Sequence, residues 1–319
     1  TVPSFVQIIL GDNDFIIKNC KPSFFVIENF DLYKKNEKIL KRFEKSKIIL
    51  IDSFKNNRKF YNYEELVSNK LKKKIVYSIK KNDISTLIYT SGTSSFPKGV
   101  VLTHKSLIHN LYAALHLIEQ FGIQNEKFFS FLPLSHSYER MAGLYFPLLI
   151  GAEIYFCSSL EKLMTEIKEV KPTIFSAVPR LYENIYKKIK SQLFNSNFIS
   201  TKIVKNLISF LENKEKNIFK KKIFKFISKS FLKRRIKLFF GGKIKVFISG
   251  GAALDPTIGY FFNNLGITLL QGYGQTEASP LISCNTKTNN DPVTVGFSVK
   301  NVLVKIARDN EIIIKGDNV

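Results

Sequence analysis

Two short strings carry the residues best equipped for chemistry. Thr90-Ser91-Gly92-Thr93-Ser94-Ser95 is a run of small, mostly hydroxyl-bearing residues, and Pro97-Lys98-Gly99 closes it. Successive backbone N–H groups in such a turn form an anion-binding concavity, the hydroxyls add donors and the ammonium adds charge. One Lys–phosphate contact at about 4 Å is worth on the order of 4 kcal/mol at an effective dielectric near 20. The string is not the Gly-Lys-Ser/Thr phosphate loop, because Lys98 stands between Pro97 and Gly99 and no helix starts cleanly there. The second string is Gln271-Gly272-Tyr273-Gly274-Gln275-Thr276-Glu277. Glycines around a tyrosine let the backbone approach a flat ligand while the ring stacks on it. Thr276 can donate to a phosphate, and Glu277 offers a hard oxygen to Mg²⁺. Either string alone also reads as an ordinary polar turn.

Two further segments are weaker by themselves. Ser249-Gly250-Gly251-Ala252-Ala253-Leu254 has the small residues that permit close backbone approach. Leu132-Pro133-Leu134-Ser135-His136-Ser137-Tyr138-Glu139-Arg140 contains a histidine that, in isolation, reads as a buried or capping residue. His104, His109 and His116 have no ligand pattern for zinc, and Cys20, Cys157 and Cys284 are odd in number and far apart. A reduced compartment follows.

The elements that must position these strings alternate. Thr86 to Thr90 has the β-branched, aromatic and aliphatic types of a buried strand. Strands are expected at Lys127–Leu132, Glu153–Phe156, Thr173–Ala177, Lys245–Ser249 and Ile267–Gln271. Helices are expected at Lys105–Gln120, with Thr103 as N-cap, and near Asp255–Leu265. Tyr63–Lys70 is a shorter helical stretch. Alternation of this kind means an α/β fold with a mainly parallel sheet covered on both faces. Ligands in such sheets sit beyond the carboxyl ends of the strands, and every string above follows one.

Hydrophobic content of 45% and charged content of 24% over 319 residues describe a globular chain with ample core. The formal charge of +23 draws attention to anionic partners, but the lysines are spread out and Lys, Asn, Ile and Phe are all abundant. A generally basic surface is the reading taken, with no nucleic acid expected. Residues 184–241 are helical in pattern and strongly basic, above all in 220–237. There Ile223, Ile227 and Phe231 share one face, which makes peripheral contact with an anionic membrane a secondary reading beside a solvated helix.

The strings, in this order, resemble the adenylate-forming enzymes, the superfamily of acyl-CoA synthetases, luciferases and peptide-synthetase adenylation domains. Their loop reads Thr-Ser-Gly-Thr-Thr-Gly-x-Pro-Lys-Gly, with Ser95 here where that family usually has glycine. Tyr273–Glu277 is similar to their Tyr-Gly-x-Thr-Glu motif. Glu139-Arg140 and Val178-Pro179-Arg180-Leu181-Tyr182-Glu183 are similar to the long-chain fatty acid–CoA ligase branch. Some enzymes of that branch have a gating tryptophan where Arg140 falls, and this chain has none.

The resemblance implies a large N-terminal AMP-binding domain of αβαβα-type layers. It implies Thr90, Ser91, Gly92, Thr93, Ser94, Ser95 and Lys98 around the phosphates, and Gly251, Ala252, Ala253, Gln271, Gly272, Tyr273 and Gly274 around AMP. Thr276 would meet the α-phosphate, Thr93 and Glu277 would hold Mg²⁺, and His136 would border the acyl-adenylate. Lys98, His136, Thr276 and Glu277 form the implied catalytic set. The implied reaction is attack of a fatty-acid carboxylate on ATP, then displacement of AMP by coenzyme A. The family's Thr-Gly-Asp segment and small C-terminal domain do not match this chain, which opens Thr1-Val2-Pro3. The expectation is truncation at both ends, with 1–298 an incomplete AMP-binding domain and 299–319 the start of a β-rich subdomain. Such a piece is expected to bind ATP weakly and turn over little, in a cytoplasmic or peripheral inner-membrane setting. Loading of a carrier protein or activation of an aromatic acid is one alternative. A non-catalytic basic membrane- or nucleic-acid-binding protein is the alternative of another class.

Overall fold

A computed structural model describes residues 10–42, 47–52, 60–68, 77–90, 97–195, 201–214 and 233–319. The chain divides into two compact units, Thr1–Asp83 with Tyr89–Val100, and Ile84–Ile88 with Val101–Val319. In the first unit the described elements run α1 (Leu10–Cys20), β1 (Phe25–Ile27), α2 (Phe30–Lys35), α3 (Glu37–Leu40), β2 (Ile48–Leu50), β3 (Tyr61–Asn62) and α4 (Tyr63–Ser68). Asn29 caps α2 by accepting from Leu32 N at 2.9 Å. The strands form a parallel sheet in the order β1-β2-β3. Tyr33, Leu40, Ile48 and Leu50 make its small core.

The chain passes between the units in the ribbon of β4 (Ile84–Thr90) and β5 (Lys98–Thr103). Lys98 thus opens a strand, one residue before the closing glycine of its string. Ser91–Phe96 lie outside the described residues.

The second unit continues with α5 (His104–Ile118), β6 (Lys127–Ser130), α6 (Ser137–Glu139), α7 (Phe146–Leu149), β7 (Glu153–Phe156), α8 (Leu163–Val170), β8 (Ile174–Ala177), α9 (Pro179–Phe194), α10 (Thr201–Glu212), α11 (Lys233–Phe239), β9 (Val246–Ser249), α12 (Pro256–Asn264), β10 (Thr268–Gly274), β11 (Leu281–Cys284), β12 (Phe297–Ser298), β13 (Val302–Ile306) and β14 (Ile312–Gly316). Its seven-stranded sheet has the order β12-β11-β10-β9-β8-β6-β7. From β10 to β7 the pairs are parallel, and β10-β11 and β11-β12 are antiparallel. The α/β fold with a mainly parallel, helix-covered sheet is therefore present. β6 stops at Ser130, two residues before its expected end and ahead of Pro133. Thr103 caps α5 through a reciprocal pair of hydrogen bonds with Ser106.

Period-2 alternation sorts the strands between two cores. Phe175, Phe247 and Leu269 point to one, where α9, α10 and α12 contribute Tyr182, Leu211, Phe261 and Phe262. Ile174, Val246 and Leu270 point to the other, beneath Ala114 and Ile118 of α5. Both faces are covered, so these strands read as continuous apolar runs. Of the basic stretch 220–237, only α11 falls within the described residues, and there Ile236 is buried. Among the described residues no helix is long and apolar enough to cross a membrane.

Candidate functional site

The α5-side face of the sheet loses bulk toward the carboxyl ends of its strands. Along β9 and the residue after it, Val246, Ile248 and Gly250 occupy successive positions on that face, and along β10 Leu270, Gly272 and Gly274 do the same. Phe128 gives way to Ser130 on β6, and Ile174 to Ser176 on β8. The missing side chains leave a cavity at the end of the sheet where parallel strands place ligands. Its deep wall is apolar, with Ile118, Phe128, Met141, Phe146 and Cys284. Burial pushes the Cys284 thiol up to about 12, so it packs as a small apolar group. Gly250 cannot be replaced cheaply, because a Cβ there would come 2.8 Å from the Tyr138 ring.

The rim is polar and gathers three of the four strings. His136, Gly251, Gly272, Tyr273, Gly274 and Thr276 all line this one cavity. Ser137 Oγ lies 3.0 Å from Thr276 Oγ1, so the histidine string and the tyrosine string touch through their hydroxyls. The short 3₁₀ turn Thr276–Ala278 is held from behind by Asn110 of α5. The fully buried Asn110 amide donates to Ala278 O at 2.9 Å and accepts from Leu281 N at 2.6 Å. Buried amides so placed fix a loop at little net cost only while both partners are present.

The string Leu132–Arg140 is anchored by its own glutamate. Glu139 is 1% exposed and accepts from Ser130 Oγ at 2.6 Å. Burial pushes its carboxyl up to about 7, against the hydrogen bonds from Ser130 and the Phe131 and Leu132 amides. The helix turns to π-type pitch over Arg140–Tyr145, and a Cβ on Gly143 would come 2.4 Å from Glu139 Oε1. Arg140 donates to Tyr145 OH and Leu134 O, within its own segment.

The other nominated residues are placed differently. Glu277 is exposed beside Thr276, and Ala252 and Ala253 are exposed beyond β9. Gln271 is buried, with its amide accepting from Leu254 N and donating to Thr294 O and its own carbonyl accepting from Asn285 N, so it holds the strand end in place. Thr90 and the exposed Lys98 belong to the first unit, and Ser91–Ser95 lie outside the described residues. Among the described residues no three His, Cys, Asp or Glu side chains cluster to hold a metal. A single exposed carboxylate suits Mg²⁺, which keeps several waters and shares its shell with substrate phosphates. Reading the sequence missed Ser137, Asn110 and the apolar wall. Ser137 lay in a string already singled out, whereas Ala114 and Ile118 carried only a helical period.

Residues 2–319 match the family described as AMP-binding enzyme. The chain belongs to that family. Among curated relatives of this chain, a peroxisomal long chain acyl-CoA synthetase of Arabidopsis thaliana is 34% identical over 215 residues, 66% of this chain and 30% of its own. A long-chain-fatty-acid–CoA ligase of Mus musculus is 30% identical over 258 residues, 75% of this chain and 37% of its own. The chain thus spans about a third of the length of these relatives. Among solved structures, a long-chain-fatty-acid-CoA ligase from Archaeoglobus fulgidus superposes with a TM-score of 0.69 at 18% identity, covering 99% of this chain and 58% of that one. An anthranilate CoA ligase in complex with anthranoyl-AMP gives 0.68 at 18%, covering 97% and 52%. At this identity the structures share the fold.

Proposed function

We propose that the protein carrying this chain activates a long-chain fatty acid with ATP, forming acyl-AMP and pyrophosphate, and then passes the acyl group to coenzyme A. The observation that carries the reading is the taper of the sheet face, which leaves an apolar well under a rim of glycines and hydroxyls. The well suits an alkyl chain, since its deep wall offers no partner for an amino or hydroxyl substituent. At the rim the acid's carboxylate attacks the α-phosphorus, and pyrophosphate leaves in line. No protein nucleophile is required. The chain's task is to position the reactants and neutralise charge. Thr276 donates to the α-phosphate, Tyr273 stacks on the adenine between its glycines, and His136 borders the carboxylate. Lys98 and the hydroxyls of Thr90–Ser95 are assigned to the outer phosphates. Glu277 and Thr93 would hold Mg²⁺, which neutralises phosphate charge when bound. The relatives named as long-chain ligases support the choice of acid.

Acid-dependent exchange of labelled pyrophosphate into ATP, across saturated acids of increasing length and a set of aromatic acids, tests the reading. Exchange rising with chain length, and lost in Thr276→Ala, is expected. Exchange confined to aromatic acids overturns the long-chain assignment. Exchange without any thioester formation favours transfer to a carrier protein.

A further inference from the structure

Away from the cavity, α8, α9 and α11 enclose a groove on the second unit. Its floor is apolar: Ile185, Ile189 and Leu193 follow one another down one face of α9, and Phe239 of α11 lies beside them. Leu238 stands at the edge with 58% of its surface in water. Two ammonium groups converge on the same ring, Lys168 Nζ at 5.6 Å and Lys188 Nζ at 5.3 Å from the Phe239 centroid. Each gains from the π face, but the two repel one another.

The local charge is unbalanced. The three helices carry nine Lys or Arg against three Glu, and one of these, Glu166, is bound to Ser158. Among the described residues no carboxylate pairs with Lys168 or Lys188, whereas Lys190 holds Glu212, Lys245 holds Glu126 and Lys214 holds Asp291. A free phosphate would satisfy the cations and leave Leu238 and the half-buried Ile189 and Phe239 wet. An apolar peptide would cover the floor and leave the cations unanswered. A phosphate ester with alkyl chains satisfies both.

We infer that this groove seats the headgroup phosphate and first acyl carbons of an anionic phospholipid, docking the second unit on an anionic membrane surface. The inference is independent of the ligase reading, and its test needs no catalysis. Co-sedimentation of the chain with phosphatidylcholine vesicles, with and without phosphatidylglycerol, at physiological salt provides the readout. Each basic residue near such a surface contributes about fivefold in partitioning. Lys168→Gln with Lys188→Gln is therefore expected to lower partitioning about 30-fold, whereas the charge-matched Lys305→Gln with Lys315→Gln changes it severalfold at most. Leu238→Asp is expected to weaken binding as much as the groove pair, and Leu238→Ser serves if the aspartate variant does not fold. Equal losses from groove and control pairs overturn the site, leaving only the general attraction of a +23 chain. Insensitivity to both Leu238 variants, with full competition by glycerol 3-phosphate, overturns the lipid in favour of a soluble phosphate.

Discussion

Glu126 and Glu139 are two carboxylates buried to the same depth, 2% and 1% exposed, in the two ends of the segment around β6. Glu126 meets an ammonium: Lys245 Nζ lies 2.5 Å from Oε1 and also donates to Gly122 O, while Gln124 N donates to the same carboxylate. Glu139 meets only neutral donors, from Ser130 Oγ and the backbone of the following turn. The first is a pin joining the start of β6 to the residue before β9. The second follows Ser137 and Tyr138, which line the cavity, and burial raises its carboxyl to about 7. Equal depth with unequal compensation gives one group a structural role and leaves the other sensitive to protons.

Breaking the pin has the largest expected effect. Lys245→Met leaves Glu126 buried without its cation and is expected to cost about 3 kcal/mol in denaturant unfolding. Adding Glu126→Leu should recover most of that loss, because the uncompensated charge is then gone. Failure to recover would mean that the lysine acts mainly through Gly122 O.

The second test concerns pH. Glu139 binds its proton more tightly folded, at about 7, than unfolded, near its ordinary 4.5. Stability from this group is therefore highest below pH 4.5 and falls as pH rises through 7, by about 3 kcal/mol in all. Unfolding of Glu139→Gln followed from pH 5 to 8 should lack this slope. An unchanged slope would assign the pH dependence to other groups.

A smaller effect is expected from Ser130→Ala, which removes the donor at 2.6 Å. It should cost about 1–2 kcal/mol at pH 8 and less at pH 5, and move the loss of stability to higher pH. The smallest belongs to an exposed pair across β6 and β7, Lys127 and Glu153 at 2.9 Å. Lys127→Gln should leave the unfolding midpoint where it is, since exposed pairs in water are screened.

Much of the scaffold was legible in the sequence because its causes are local. Thr103 stands at the N-cap expected of it, the helix expected near Asp255–Leu265 is present with Asp255 as its cap, and the strand runs at 153–156, 173–177 and 245–249 recur within a residue or two. The glycines of 250–251 and 272–274, which line the cavity, could be named because small residues just after an apolar strand run are a local signal. Partnerships across the chain were not legible. Asn110 meets Ala278 at a separation of 168 residues, and Ser137 meets Thr276 at 139. Gln271 read as one more residue of a ligand string, yet its amide turns inward to Leu254 and Thr294.

By itself the sequence determined the order of strands and helices, the small residues at the strand ends and the excess of positive charge, since each depends on side-chain type and near neighbours. Only the tertiary structure decided which hydroxyls meet, which buried carboxylate receives a cation and where two lysines share one ring. Those outcomes depend on distances between segments far apart in the chain, and no local preference encodes them.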